Sequence, residues 1–101
     1  MTPAILLPRA RRDLREAVHW IASDNPDAAH RLRNAVVTAA HRIGTHPEIG
    51  MVRPEYADKP IRFLVLTGFP YVLVYNAAGT PPRIVRVLHG ARDIPSVLGH
   101  I

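Results

Sequence analysis

The chain has 101 residues, with thirteen basic side chains, twelve of them arginine, against eight acidic ones, for a net charge of +5, and it has no cysteine. That length describes one domain spanning residues 1–101, large enough to bury a real core. The missing cysteines exclude a disulfide framework and a thiolate metal site. A charge of this size fits ordinary surface solubility as well as contact with an anionic partner.

In chain order, Ala4–Leu7 is a short apolar run that reads as a first strand. The run is far too short for a signal peptide or a membrane span, so the expected setting is the cytoplasm, with no membrane contact. Pro8 suits a helix's first turn, and Ala10, Leu14, Ala17, Val18 and Ile21 recur at helical period from Arg9 to Ser23, with Trp20 at the edge of the stripe. Asp24-Asn-Pro-Asp27 stops this helix and starts another, with Asn25 as cap and Pro26 in the first position. Ala29, Leu32, Val36, Ala39 and Ile43 form the second stripe, and Gly44 is placed just past the helix end. So short a connection makes the two helices antiparallel neighbours. His46–Pro60 reads as an irregular loop.

Three segments rich in β-branched and aromatic residues follow, Ile61–Leu66, Tyr71–Tyr75 and Arg83–His89, separated by turns containing Gly68, Gly79, Pro81 and Pro82. They predict an antiparallel meander, and Asp93–Leu98 adds a last helical turn. The fold class is therefore α+β: a two-helix antiparallel hairpin packed on one face of a small antiparallel sheet, in the order β-α-α-β-β-β.

Alternation gives the meander two faces. Uncompensated arginine is costly in a core, and Asp93 is the sole acid between residues 61 and 101. Arg62, Arg86, Tyr71 and Tyr75 are accordingly placed on the face turned away from the helices. That face also carries Leu64, Leu66, Ile84 and Leu88, an apolar patch suited to a partner offering apolar and acidic side chains.

The six histidines form no i, i+4 zincin pair, and His19, His30 and His41 point outward on the helices, so no metal is expected. No P-loop, G-x-G-x-x-G or G-x-S-x-G motif occurs, so no cofactor and no serine nucleophile are expected. What remains for chemistry is Arg62, Arg86, His89 and Arg92. Arginines holding a phosphate beside a histidine that moves a proton would suit cleavage of RNA by its own 2′-hydroxyl. The bland alternative has His89 merely ending a strand and the arginines meeting a partner's carboxylates.

The succession of strand, helical hairpin, P-x-x-G (Pro47, Gly50), R-x-L (Arg62, Leu64), G-F-P-Y-V-L-V-Y (Gly68–Tyr75) and R-V-L-H-G-A-R-D (Arg86–Asp93) resembles the RelE/ParE superfamily. The resemblance runs from about Leu6 to Leu98. It implies the toxin of a type II, plasmid stabilisation-like toxin–antitoxin module, neutralised by a cognate antitoxin that wraps it. RelE-like members cut messenger RNA on the ribosome, whereas ParE-like members inhibit DNA gyrase. The cutters carry lysines around the second strand, which here offers Arg62 but no lysine, and an arginine on the third strand, where Val72 stands. Arg92 matches their arginine after the last strand, and Leu98 takes the place of their C-terminal aromatic.

The wording of Arg86–Asp93 is similar to the ParE-like branch, which implies gyrase as target and no catalysis. The partner-binding residues are then Arg62, Leu64, Tyr71, Tyr75, Arg86, Leu88 and Arg92. The alternatives are a ribosome-dependent RNA endonuclease using Arg62, Arg86, His89 and Arg92, or a degenerate toxin that only binds its antitoxin.

Overall fold

A computed structural model describes residues 2–98. β1 (Ile5–Leu6) leads into α1 (Pro8–Ala22) and α2 (Pro26–Thr45). The sheet continues with β2 (Ile61–Val65), β3 (Tyr71–Asn76) and β4 (Arg83–His89), and α3 (Asp93–Leu98) closes the described chain. Pro8 and Pro26 open their helices, where a missing N–H leaves no helical bond unmade. The Asn25 side chain accepts from the Ala28 amide at 3.1 Å, the expected cap.

On α2 the stripe Ala29, Leu32, Val36, Ala39 and Ile43 is buried throughout. Leu32, Val36 and Ile43 each contribute about 1.5–3 kcal/mol by leaving water. On α1, Ala10 and Ala17 are buried, and Leu14, Val18 and Ile21 pack against the same core.

Gly44 lies inside the last turn of α2 and is not the residue beyond it. Its role is close approach, because a Cβ there would collide with the Thr2 carbonyl and crowd the Pro3 Cα. The sheet is mixed, not purely antiparallel. Its order is β1-β4-β3-β2, and β1 runs parallel to β4 with Ile5 opposite Arg83 and Leu6 opposite Ile84. The meander itself has the expected antiparallel pairing.

The faces of the sheet differ from the sequence expectation. Leu64, Leu66, Tyr71, Leu73, Tyr75, Ile84 and Val87 pack beneath the helices, so the arginine-bearing face of β2 is the helix face. Phe63, Val72, Val74 and Leu88 turn the other way, into a second cluster closed by Ile94 of α3 and flanked by Tyr56, Ile61 and Val85. In β4 strict alternation fails because the register shifts between Val74 and Tyr75, so Val74 faces Arg86 while Tyr75 faces Ile84. The extra residue, Val85, lets Ile84 and Val87 both reach the main core. Alternation alone assigns those two to opposite faces.

Tyr75 is fully buried, yet its hydroxyl is satisfied twice. It donates to the Pro47 carbonyl at 2.6 Å and accepts from the Gly50 amide at 2.8 Å. The P-x-x-G segment therefore folds around a phenol: a 3-10 turn over Pro47–Ile49 wraps the hydroxyl, and a Cβ at Gly50 would stand 2.7 Å from the Tyr75 ring.

Tyr75→Phe removes both bonds and strands the buried Gly50 amide, so urea unfolding is expected to show a loss of about 1–3 kcal/mol. Burial also raises the Tyr75 pKa above its ordinary value. The neutral phenol is thus the folded form, and its contribution is complete below pH ~10 and lost as pH rises through the folded pKa. The wild-type advantage over Tyr75→Phe should shrink in that alkaline window; an advantage independent of pH up to 12 would contradict the assignment.

Candidate functional site

The four cationic or titratable groups singled out from sequence do not gather in one place. Arg62, on the edge strand β2, donates through Nη1 to the Gly50 carbonyl at 2.9 Å and the Glu48 carbonyl at 3.3 Å. It holds the outside of the same turn that Tyr75 holds from within. A guanidinium with several donors is well suited to collecting carbonyls that a 3-10 turn leaves unpaired.

Arg86 is committed elsewhere. Its Nε donates to Asp13 Oδ2 at 2.8 Å and its Nη2 to Asp13 Oδ1 at 3.2 Å, a two-pronged pair with α1. The same Oδ2 accepts the Val87 amide at 3.0 Å. The Asp13 carboxylate is 9% exposed and the Arg86 side chain 21%, so water screens this pair far less than a surface bridge. Asp13 is the acid that counting within the sheet region misses. Its signal in the sequence is an aspartate three residues after Ala10 and four before Ala17, on the buried stripe of α1.

At the far end of β4, His89, Arg92 and Asp93 form a compact turn. The His89 amide donates to Asp93 Oδ2 at 2.8 Å, and His89 Nδ1 accepts the Arg92 amide at 3.1 Å. Arg92 Nε reaches Asp93 Oδ1 at 2.9 Å. The guanidinium, helped by the His89 amide and opposed by partial burial, lowers the Asp93 pKa, and the carboxylate in turn raises that of Arg92. The His89 ring meets Tyr71 edge-on, with centroids 5.5 Å apart.

Beside this turn lies a shallow cleft of about 210 Å³ lined by Asp13, Glu16, Ala17, Trp20, Tyr71, Val87 and Arg92. Trp20, the chain's single tryptophan, is 73% exposed at its rim. Its position at the edge of the α1 stripe was visible in the sequence, but its neighbours, 51 and 72 residues away, were not.

The expected partner-facing set therefore divides. Tyr75 and Leu88 are sealed, at 0% and 1% exposure, and Tyr71 shows only a sliver to the Trp20 cleft. Arg62 and Arg86 are turned inward to acceptors of this same chain, which corrects their placement on an open face. Leu64 is half-buried and lines a groove with Arg42 and Val65. Arg92, with a side chain 62% exposed, is the member of the set that solvent reaches best. Among the described residues no three histidine or acidic side chains converge as metal ligands, and no helix is long and apolar enough to cross a membrane.

Residues 4–94 match the family described as the ParE toxin of the type II toxin–antitoxin system parDE. Y4kP of Sinorhizobium fredii is 36% identical over 90 residues, which are 89% of this chain and 90% of that protein. Toxin RelE2 of Caulobacter vibrioides is 36% identical over 84 residues, 83% of this chain and 90% of its own length. A solved chain of the chromosomal ParDE system from P. aeruginosa superposes with a TM-score of 0.68 at 21% identity, over 88% of this chain and 96% of that one. A likeness at that identity speaks for the fold.

Arg86→Ala leaves Asp13 nearly buried without its main counter-charge, and chemical denaturation should show a loss of about 2–3 kcal/mol. Arg92→Ala breaks an exposed pair and should cost less than about 1 kcal/mol. Equal losses in the two variants would refute the distinction between an inward and an outward arginine.

Proposed function

The chain belongs to the ParE toxin family of type II toxin–antitoxin systems, and we propose that it acts by binding DNA gyrase and not by cutting RNA itself. One observation carries this reading: the strand arginines are spent on the fold. Cleavage of RNA by its 2′-hydroxyl needs a proton acceptor and cationic groups that converge on one phosphate as charge develops. Arg62 is held by two carbonyls of the Pro47–Gly50 segment and Arg86 by Asp13, so neither is free to join His89 and Arg92 on one phosphate.

As a toxin of such a module, the chain has a cognate antitoxin as partner. The Trp20 cleft is the proposed contact with gyrase. An exposed indole beside a guanidinium is the composition that dominates binding energy at protein interfaces, and Arg92 and Trp20 share that cleft. Leu64, in its groove beside Arg42, is a proposed contact with the antitoxin.

A second reading keeps one favourable observation. His89 and Arg92 are adjacent at the end of β4, and a ribosome could complete a cleavage site around them. The setting expected for either activity is the cytoplasm.

Purified toxin should block gyrase supercoiling and leave ribosome-bound message intact. Trp20→Ala and Arg92→Ala should each weaken the block about tenfold or more, since hot-spot truncations cost about 2 kcal/mol. Message cut at defined codons, and spared by His89→Ala, would install the second reading instead.

A further inference from the structure

After Asp27, α2 and the residues leading out of it contain no acidic side chain until Glu48, while Arg31, Arg33 and Arg42 and the histidines His30, His41 and His46 all lie in that stretch. Among the described residues, Arg15, Arg31, Arg33 and Arg42 make no ion pair. Arg11 is held only by the Leu6 carbonyl, through one of its nitrogens.

These cations are arranged in two rows. Arg33 lines the groove between α1 and α2 together with Arg11 and Arg15. Arg42 lines the opposite flank of α2, against Leu64–Thr67 of the sheet edge. Arg31 precedes Arg42 by eleven residues, about three helical turns, and so shares its flank. Between the rows the outer surface of α2 carries His30, Asn34, Val37 and His41, all exposed, with no tryptophan, tyrosine or phenylalanine among them to serve as a stacking platform for unpaired bases.

We infer that the outer face of α2, with Arg31 and Arg42 on one flank and Arg33, Arg15 and Arg11 on the other, is a binding surface for the phosphate backbone of duplex DNA. A helix is about 10–12 Å across and the major groove is about 12 Å wide, so a helix with cations on both flanks and an uncharged ridge of His30, Asn34, Val37 and His41 meets a phosphate strand on either side. The twenty residues of α2 extend about 30 Å, close to one turn of the duplex. Arginine forks bind phosphate oxygens bidentately. No carboxylate lies on the described α2 surface beyond Asp27 to repel the strand. The choice of DNA over an RNA duplex rests on the gyrase reading, which brings the toxin to DNA; the polyanion chemistry does not rest on it.

The test is fluorescence anisotropy of a labelled 20-base-pair DNA duplex with the whole toxin and no gyrase, from 25 to 200 mM salt. Parallel arms use the matching RNA duplex and poly-glutamate as competitors. With four or five phosphate contacts, log K should fall against log salt with a slope of about −3.5 to −4.5. Arg31→Glu/Arg42→Glu should lower affinity at least tenfold and reduce the slope by about two. A charge-matched control on the sheet side, Lys59→Glu/Arg83→Glu, should change affinity less than threefold, with circular dichroism confirming that both variants are folded.

Equal weakening by the two pairs would overturn the surface, since net charge alone would then explain binding. So would a salt-independent signal or preferential capture by poly-glutamate, the latter marking a face for an acidic protein. Tighter binding of the RNA duplex would overturn the choice of DNA. The gyrase reading fails separately, in the supercoiling assay.

Discussion

The Asp13 carboxylate is the constraint around which the two layers are set. β1 pairs with β4 only at Arg83 and Ile84, which leaves the rest of that strand's edge to be satisfied by something else. Asp13 does this by accepting the Val87 amide and both prongs of Arg86. A backbone amide and a guanidinium bonded to one carboxylate fix both the height and the rotation of α1 against the sheet. Two turns further along α1, that rotation sets Trp20 beside Tyr71 and Arg92. The interaction that anchors the helix thus also decides what the exposed cleft contains.

A second consequence concerns which surfaces remain for recognition. Both faces of the sheet carry apolar side chains, and both are occupied. The helical hairpin covers Leu73, Tyr75 and Ile84, while Ile94 and Tyr56 close over Phe63, Val72, Val74 and Leu88. Each outer strand also gains one further backbone tie. Met51 bridges Phe63 on the outer side of β2, and the Ala4 amide of the segment entering β1 bonds to the Ala40 carbonyl of α2. What stays exposed are side chains at the rims and on the helices, where Trp20, Arg92 and the α2 arginines stand clear of the core.

Much of this architecture could be read from residues alone, because it rests on local chemistry. Asn25-Pro26 caps and starts α2, and the 3.6-residue stripe from Ala29 to Ile43 marks its buried face. Glycines and prolines punctuate the three strands. The family resemblance likewise rested on motif order, and the match over residues 4–94 agrees with it. Face assignment in the sheet was not legible. Alternation gives two sets of side chains but not which set meets the helices, and the rule that buries the wholly apolar set assumes one covered face. Here both faces are covered, and Arg62 escapes the core by reaching past its strand to the carbonyls of Glu48 and Gly50. The irregularity at Val85 carries no turn residue to announce it. Asp13 and Arg86 meet across 73 residues of sequence, a separation that no local pattern reports.

The balance between binding and catalysis follows from the same arginines. A catalytic cation must be free to strengthen its contact as charge develops on the substrate. A guanidinium already satisfied by a nearly buried carboxylate has little left to give, and if Arg86 moved, Asp13 would keep only the looser contact with the exposed Arg9 at 3.7 Å as counter-charge. Arg86 is in that position, and Arg62 is the second tie on a turn whose first tie is a buried phenol. Diverting either side chain to a phosphate would loosen the fold that positions it. Arg92 is different: its partner Asp93 is its chain neighbour, the pair is largely exposed, and exchanging that carboxylate for one on another protein costs little. A surface with one exchangeable cation beside an exposed indole is suited to docking, and of the three arginines that a phosphodiester reaction would draw on, this fold ties down two, Arg62 and Arg86.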